Sequence, residues 1–181
     1  MSSLSRKSFA LFLAAAFAVG GAIPAGASDR ERRFFEQIEG QWTGPGEIVA
    51  GKYEGTKFVC NLTGSVPDRN AGMALEGGCR VGLFNKKMSA RVERAGGGYR
   101  GTFLDGANGE GLDVTGGRVG DKHVVFSIHR QELTGAMQAR IADENTMNVT
   151  ISVHVGDELV PVIGVSLKRT DDRTVGAITS K

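Results

Sequence analysis

Two cysteines, three histidines and one tryptophan are all that 181 residues provide of the side chains most often found in redox, metal and ring-stacking sites. The cysteines, Cys60 and Cys79, do not have C-x-x-C spacing and have no neighbouring His ligands, which speaks against a zinc knuckle or a dithiol redox centre. No Ser stands in a G-x-S-x-G elbow, since "GVSLK" around Ser166 lacks the second Gly. "GPGEI" lacks the Lys and the following helix of a phosphate loop. Long basic runs are missing too. The chain carries 22 Lys+Arg against 20 Asp+Glu, and two of the bases, Arg6 and Lys7, lie in the first few residues. Without them the balance is even, so charge gives no support for a nucleic-acid partner. Lys86-Lys87 is the kind of short pair that remains.

A second apolar run long enough to span a bilayer is also missing after the first one. That first run, Phe9 to Ala22, follows Arg6 and Lys7 and precedes Ala25-Gly26-Ala27, an A-x-A cleavage pattern. Residues 1–27 therefore read as an export signal, with periplasmic or extracellular delivery and no transmembrane segment in the product. No Cys sits at the junction to accept a lipid. In an oxidising compartment Cys60 and Cys79 are expected to form a structural disulfide. They flank two strand patterns joined by a Pro-Asp-Arg-Asn-Ala-Gly turn, with Gly77-Gly78 expected to supply a bulge.

The 27 glycines are scattered between short alternating runs rather than periodic, the usage of a many-stranded β protein. Glu31 to Glu39 reads as one or two helical turns with Phe34, Phe35 and Ile38 on one side, stopped by Gly40. Alternation then continues almost without a break, from Phe58-Cys60-Leu62 through Met147-Val149-Ile151-Val153-Val155 to a last row of Leu159, Pro161, Ile163, Val165, Leu167 and Arg169. Met73, Leu75, Cys79, Val81 and Leu83 form one intermediate row. Connectors are expected at Asn85-Lys86, Ala95–Gly98, Gly116-Gly117, Asp143–Asn145 and Gly156-Asp157. Short connectors imply antiparallel neighbours. The expected fold is all-β: an antiparallel meander barrel of about eight to ten strands with a short N-terminal helix, a β-sandwich being the alternative. The expected divisions are 1–27 signal, 28–40 N-terminal segment and helix, 41–169 barrel, and 170–181 a loose tail.

Gly40-Gln41-Trp42 after a helical turn, together with Arg169 in "VSLKR", resembles the lipocalins and their calycin relatives. The resemblance implies that Trp42 packs under the barrel against Arg169, with Phe34, Phe35 and Ile38 closing that end. A guanidinium on an indole is worth roughly 0.5–2 kcal/mol. The C-terminal helix usual in lipocalins is not evident, and a single Trp speaks against an avidin-like biotin site. The resemblance implies architecture more than ligand.

Chemistry has few carriers. His123, His129 and His154 fall on the polar faces of their strands, and Glu76 and Glu93 do likewise, so no catalytic residue, metal site or cofactor is expected. "DGANGEGLD", Asp105 to Asp113, does not have calcium-loop spacing and reads as a Gly-rich connection. Asn61 and Asn148 fit a glycosylation pattern but lie inside strands. The candidate ligand contacts are the inward Met73, Met88, Tyr99, Phe103, Phe126, Met137 and Met147, which suit an adaptable apolar cavity and a filled core equally. The functional expectation is an exported calycin-like barrel, not an enzyme, whose partner is a small apolar ligand. The alternative is a filled-core barrel acting through its surface on an envelope protein or a protease, with Ser28–Arg33 as the inserting segment.

Overall fold

The structure, a computed structural model, describes residues 26–67, 71–104 and 111–170. One helix, α1 (Gly26–Glu36), precedes ten strands: β1 (Gly40–Ile48), β2 (Lys57–Ser65), β3 (Gly72–Val81), β4 (Phe84–Ala95), β5 (Gly98–Leu104), β6 (Leu112–Val119), β7 (His123–Arg130), β8 (Leu133–Asp143), β9 (Thr146–Val155) and β10 (Glu158–Arg169). Every strand pairs antiparallel with its neighbour in sequence, and β1 pairs with β10, so the meander closes into a barrel. The sandwich alternative is ruled out by that closure. Most inward positions are apolar and buried or half-buried, while outward positions such as Lys57, Asn61, Arg91 and Glu93 are exposed. That polarity is the reverse of a membrane-spanning barrel, whose outer band is apolar. No helix among the described residues is long and apolar enough to cross a membrane.

Several local expectations are corrected. The helix starts earlier and ends earlier than Glu31–Glu39. Its opening "GASDRERR" has no apolar stripe to reveal a helical period. It is instead supported by Asp29 in the first turn, Arg33 in the last, and the Arg32–Asp29 pair one turn apart. Gly77-Gly78 forms no bulge: the β2–β3 ladder passes straight through Asn61↔Gly78 and Leu62↔Gly77. Register shifts fall elsewhere, at Val114/Gly116, Ile141/Asp143 and Pro161/Ile163. The last of these flips the facing of β10, so Leu159 and Pro161 are exposed and the inner row begins at Ile163. Gly116-Gly117 lies within β6 rather than at a turn, and Asn85-Lys86 lies within β4. The β3–β4 turn is Gly82-Leu83, where Gly82 takes φ +57°, and Leu83 leaves the inner row to stand 98% exposed. The Pro67–Gly72 turn, the Gly-rich Asp105–Asp113 connection and the C-terminal tail fall wholly or partly outside the described residues.

The two ends of the barrel differ. At one end α1 lies across the opening, and Phe34, Phe35, Ile38 and Trp42 are all at most 2% exposed. Phe34 meets Phe35 edge-on at 5.7 Å, Phe35 meets Tyr99 at 5.9 Å, and Tyr99 meets Phe126 at 5.5 Å, an aromatic chain running from the helix into the barrel. Trp42 Nε1 donates to the Ile38 carbonyl at 2.8 Å. The Arg169 guanidinium sits 4.3 Å from the centre of the indole. The same guanidinium donates to the carbonyls of Gln37 (2.7 Å), Glu39 and Glu144 (3.2 Å). It thereby ties the helix exit and the β8–β9 turn to the seam between β1 and β10. Gly40 has φ +108°, and a Cβ there would stand 2.8 Å from an Arg169 nitrogen. The Gly of Gly-x-Trp is thus required twice, by its backbone and by the Arg beside it.

Trp42→Ala is expected to cost roughly 3–5 kcal/mol, read as a lower urea midpoint at unchanged slope. Arg169→Lys keeps the charge but loses the planar fork. It is expected to cost about 2 kcal/mol by the same measurement; an unchanged midpoint would show that the fork carries no stability.

Candidate functional site

Above the plug the interior is not filled. A cavity of about 280 Å³ runs up the barrel axis, near the lower edge of the roughly 300–1,000 Å³ usual for small-molecule sites. Ile38 contributes to its wall from the plug side. The wall also takes Phe58, Cys60 and Leu62 from β2, Met73, Leu75, Cys79 and Val81 from β3, and Lys86 and Met88 from β4. Phe103, Phe126, Met137 and Met147 continue it around the barrel, with Ile48, Val124, Ala139, Val149, Ile151, Ile163, Val165 and Leu167.

The expected inward contacts Met73, Met88, Phe103, Phe126, Met137 and Met147 therefore meet on one cavity. Tyr99 does not. It is 3% exposed but belongs to the plug, between Phe35 and Phe126. Burial, and then the Glu31 carboxylate beside it, push its phenol far above the ordinary range, while Arg94 opposes this more weakly. The ring is therefore a neutral packing element. Glu31 pairs with Arg94 next to it, and Arg30 lies 3.5 Å from Asp121, so this part of the helix is fastened to the β4–β5 and β6–β7 ends.

Lys86 is the one charged residue on the cavity wall. The expected connector at Asn85-Lys86 hides this residue, but extending the Met88-Ala90-Val92 alternation backwards puts Lys86 and Phe84 on the inner face. In the β3–β4 ladder Lys86 stands opposite Cys79, and Phe84 opposite Val81. An inward lysine at this height lets the stem follow the apolar wall while the ammonium reaches the opening.

The cysteines are joined, with Cα atoms 4.0 Å apart at directly opposed positions of β2 and β3. Both face inward, so the disulfide itself forms part of the cavity wall. Room beside it comes from β1, which presents Gly44 and Gly46 opposite Cys60 and Phe58. A Cβ at Gly46 would lie 2.3 Å from the Phe58 ring, so glycine lets that ring lie flat across β1.

His123, His129 and His154 are all exposed on outward faces. Among the described residues no three His, Cys, Asp or Glu side chains come together in a metal-binding group. Among the described residues the cavity wall carries no carboxylate, imidazole, hydroxyl or free thiol. What the arrangement can do chemically is enclose an apolar body and present one cation to its outer end.

Replacing both Cys60 and Cys79 by Ala is expected to lower stability by about 3 kcal/mol in the chain-entropy picture, checked by urea unfolding of the variant against the oxidised protein.

No protein-family model and no curated protein sequence matches the chain. Among solved structures it is similar to that of Rv2717c from M. tuberculosis, with a TM-score of 0.58 and 12% sequence identity over 78% of this chain and 98% of that one. At that identity the likeness concerns the fold, a β-barrel, alone.

Proposed function

We propose that the protein is an exported, calycin-like binding barrel that holds a small apolar molecule, or the apolar part of an amphiphile, in its interior. The observation that carries this reading is the continuous apolar cavity with the Lys86 ammonium as its one charge. Methionines and Phe rings supply an adaptable wall, and an enclosed apolar surface gains roughly 25 cal/mol for each Å² of ligand taken from water. Lys86 favours a ligand with an acidic head, which would lie at the mouth while its tail lies against Met137 and the disulfide. Export is supported by the Arg6-Lys7 start, the apolar run and the A-x-A pattern, and agrees with a formed disulfide. The calycin reading is supported by the stack of Arg169 on Trp42 beneath a closed meander. The alternative of an inserting N-terminal segment is not favoured, because Arg30 and Glu31 are engaged with the barrel.

The test is displacement of an environment-sensitive hydrophobic dye, paired with native mass spectrometry of the protein taken from its own compartment. A bound small molecule and saturable dye binding are expected. A clean apo mass with no dye binding would overturn the proposal. Ala139→Leu adds volume to the cavity wall between Val124 and Val149. It is expected to weaken dye binding at least about tenfold while costing no more than about 1–3 kcal/mol of stability. Lys86→Met should weaken a fatty acid but not its methyl ester, as measured by competition with the dye.

A further inference from the structure

The end of the barrel opposite the plug is apolar on its outside. Among the described residues, all the exposed large apolar side chains except Val59 and Val125 sit at this mouth, at strand ends or in the connections between them. The most prominent are on two neighbouring projections. Leu83 (98% exposed) and Phe84 (76%) form the tip of the β3–β4 hairpin, and Tyr53 (63%) stands on the β1–β2 connection. Charge is sorted around the same rim. Lys52 beside Tyr53, Lys57 at the start of β2, Arg80 at the end of β3, and Lys86 and Lys87 behind Phe84 surround the two projections, with Glu47 and Glu54 as the acids in this sector. The β7–β8 turn across the rim carries Glu132 with Arg130, and the β9–β10 turn, which borders the β1–β2 connection, adds Asp157 and Glu158 at the sector's edge. A chain whose total charge is near even therefore presents one basic, apolar-tipped sector.

We propose that this sector docks the barrel mouth onto an anionic lipid surface, with Leu83 and Phe84 entering the headgroup region and the surrounding Lys and Arg side chains meeting lipid phosphates. The two features are what reversible interfacial binding requires, an apolar insertion and a basic patch. A hairpin tip of two residues offers far less area than the ~800 Å² per partner of a stable protein interface, whereas a fluid lipid surface closes around it. Val81 and Lys86 belong both to this sector and to the cavity wall, so docking would place the cavity opening against the bilayer. The docking does not depend on what the cavity holds.

The experiment is flotation of the purified protein with vesicles of phosphatidylcholine alone and of phosphatidylcholine with phosphatidylglycerol. Flotation is expected with the anionic vesicles and should fall as salt is raised. Leu83→Ser combined with Phe84→Ser should abolish it. Lys87→Gln and Lys57→Gln, both outward and away from the cavity, should each lower the partition coefficient about fivefold, as expected for one basic residue near an anionic surface. All these variants should keep dye binding in the interior, and Ala139→Leu should keep flotation, which separates this proposal from the ligand reading. Absence of flotation with anionic vesicles, or equal flotation of the double Ser variant, would overturn it. So would a protein that sediments as a dimer, does not float, and becomes monomeric on the double substitution; the tip would then be a self-association surface.

Discussion

A barrel assembled from sequential hairpins still has to join its first strand to its last, and here that closure rests on Arg169. Its backbone pairs opposite Trp42 in the β1–β10 ladder, its guanidinium lies on the Trp42 ring, and its nitrogens reach carbonyls from the helix exit and from the β8–β9 turn. One side chain thus connects segments separated by 130 residues and more. The planar fork suits this: three carbonyls in different directions need donors held at fixed angles, and the flat cation can cover an indole at the same time. Gly40 leaves the space, Ile38 accepts from the Trp42 ring nitrogen, and the Phe34–Phe35 pair seals the outside. Remove the cation and both the seam and the plug lose their shared anchor.

Much of this was legible in the sequence because it is written in period two. The rows through Met147–Val155 and Phe58–Leu62 gave the strands, and the shared parity of Cys60 and Cys79 with their rows gave the disulfide an inward position. The failures are where a period carries no information. The extra residue between Pro161 and Ile163 reverses facing without any change in hydrophobicity, so Leu159 looked inward and is not. The start of the helix is polar all round and is held by charges rather than by a stripe. The Gly82-Leu83 turn hides inside an apolar row because its second residue is a leucine. Parity says which side chains face inward but not whether they meet across the axis. Tyr99 and Phe126 share an inward assignment, yet Tyr99 belongs to the plug alone while Phe126 also lines the cavity.

The cavity follows from the distribution of small and large residues around the barrel. β1 contributes backbone rather than bulk through Gly44 and Gly46, and the one large ring nearby, Phe58, lies flat across the second of them. On β8 and β9, flexible Met137 and Met147 end in thioethers rather than rigid rings. A cross-strand disulfide occupies less depth than two aromatic side chains would, and it joins β2 to β3 within the cavity wall.

Helix α1 arrives at the plugged end, and β10 finishes there on Arg169. Both borders of the barrel are thus gathered at one pole, and the open rim occupies the other. A tether or a fused domain attached at either border would leave the rim unobstructed. A protein immobilised on a sensor chip through either border would present the opening outward, with every molecule in the same orientation.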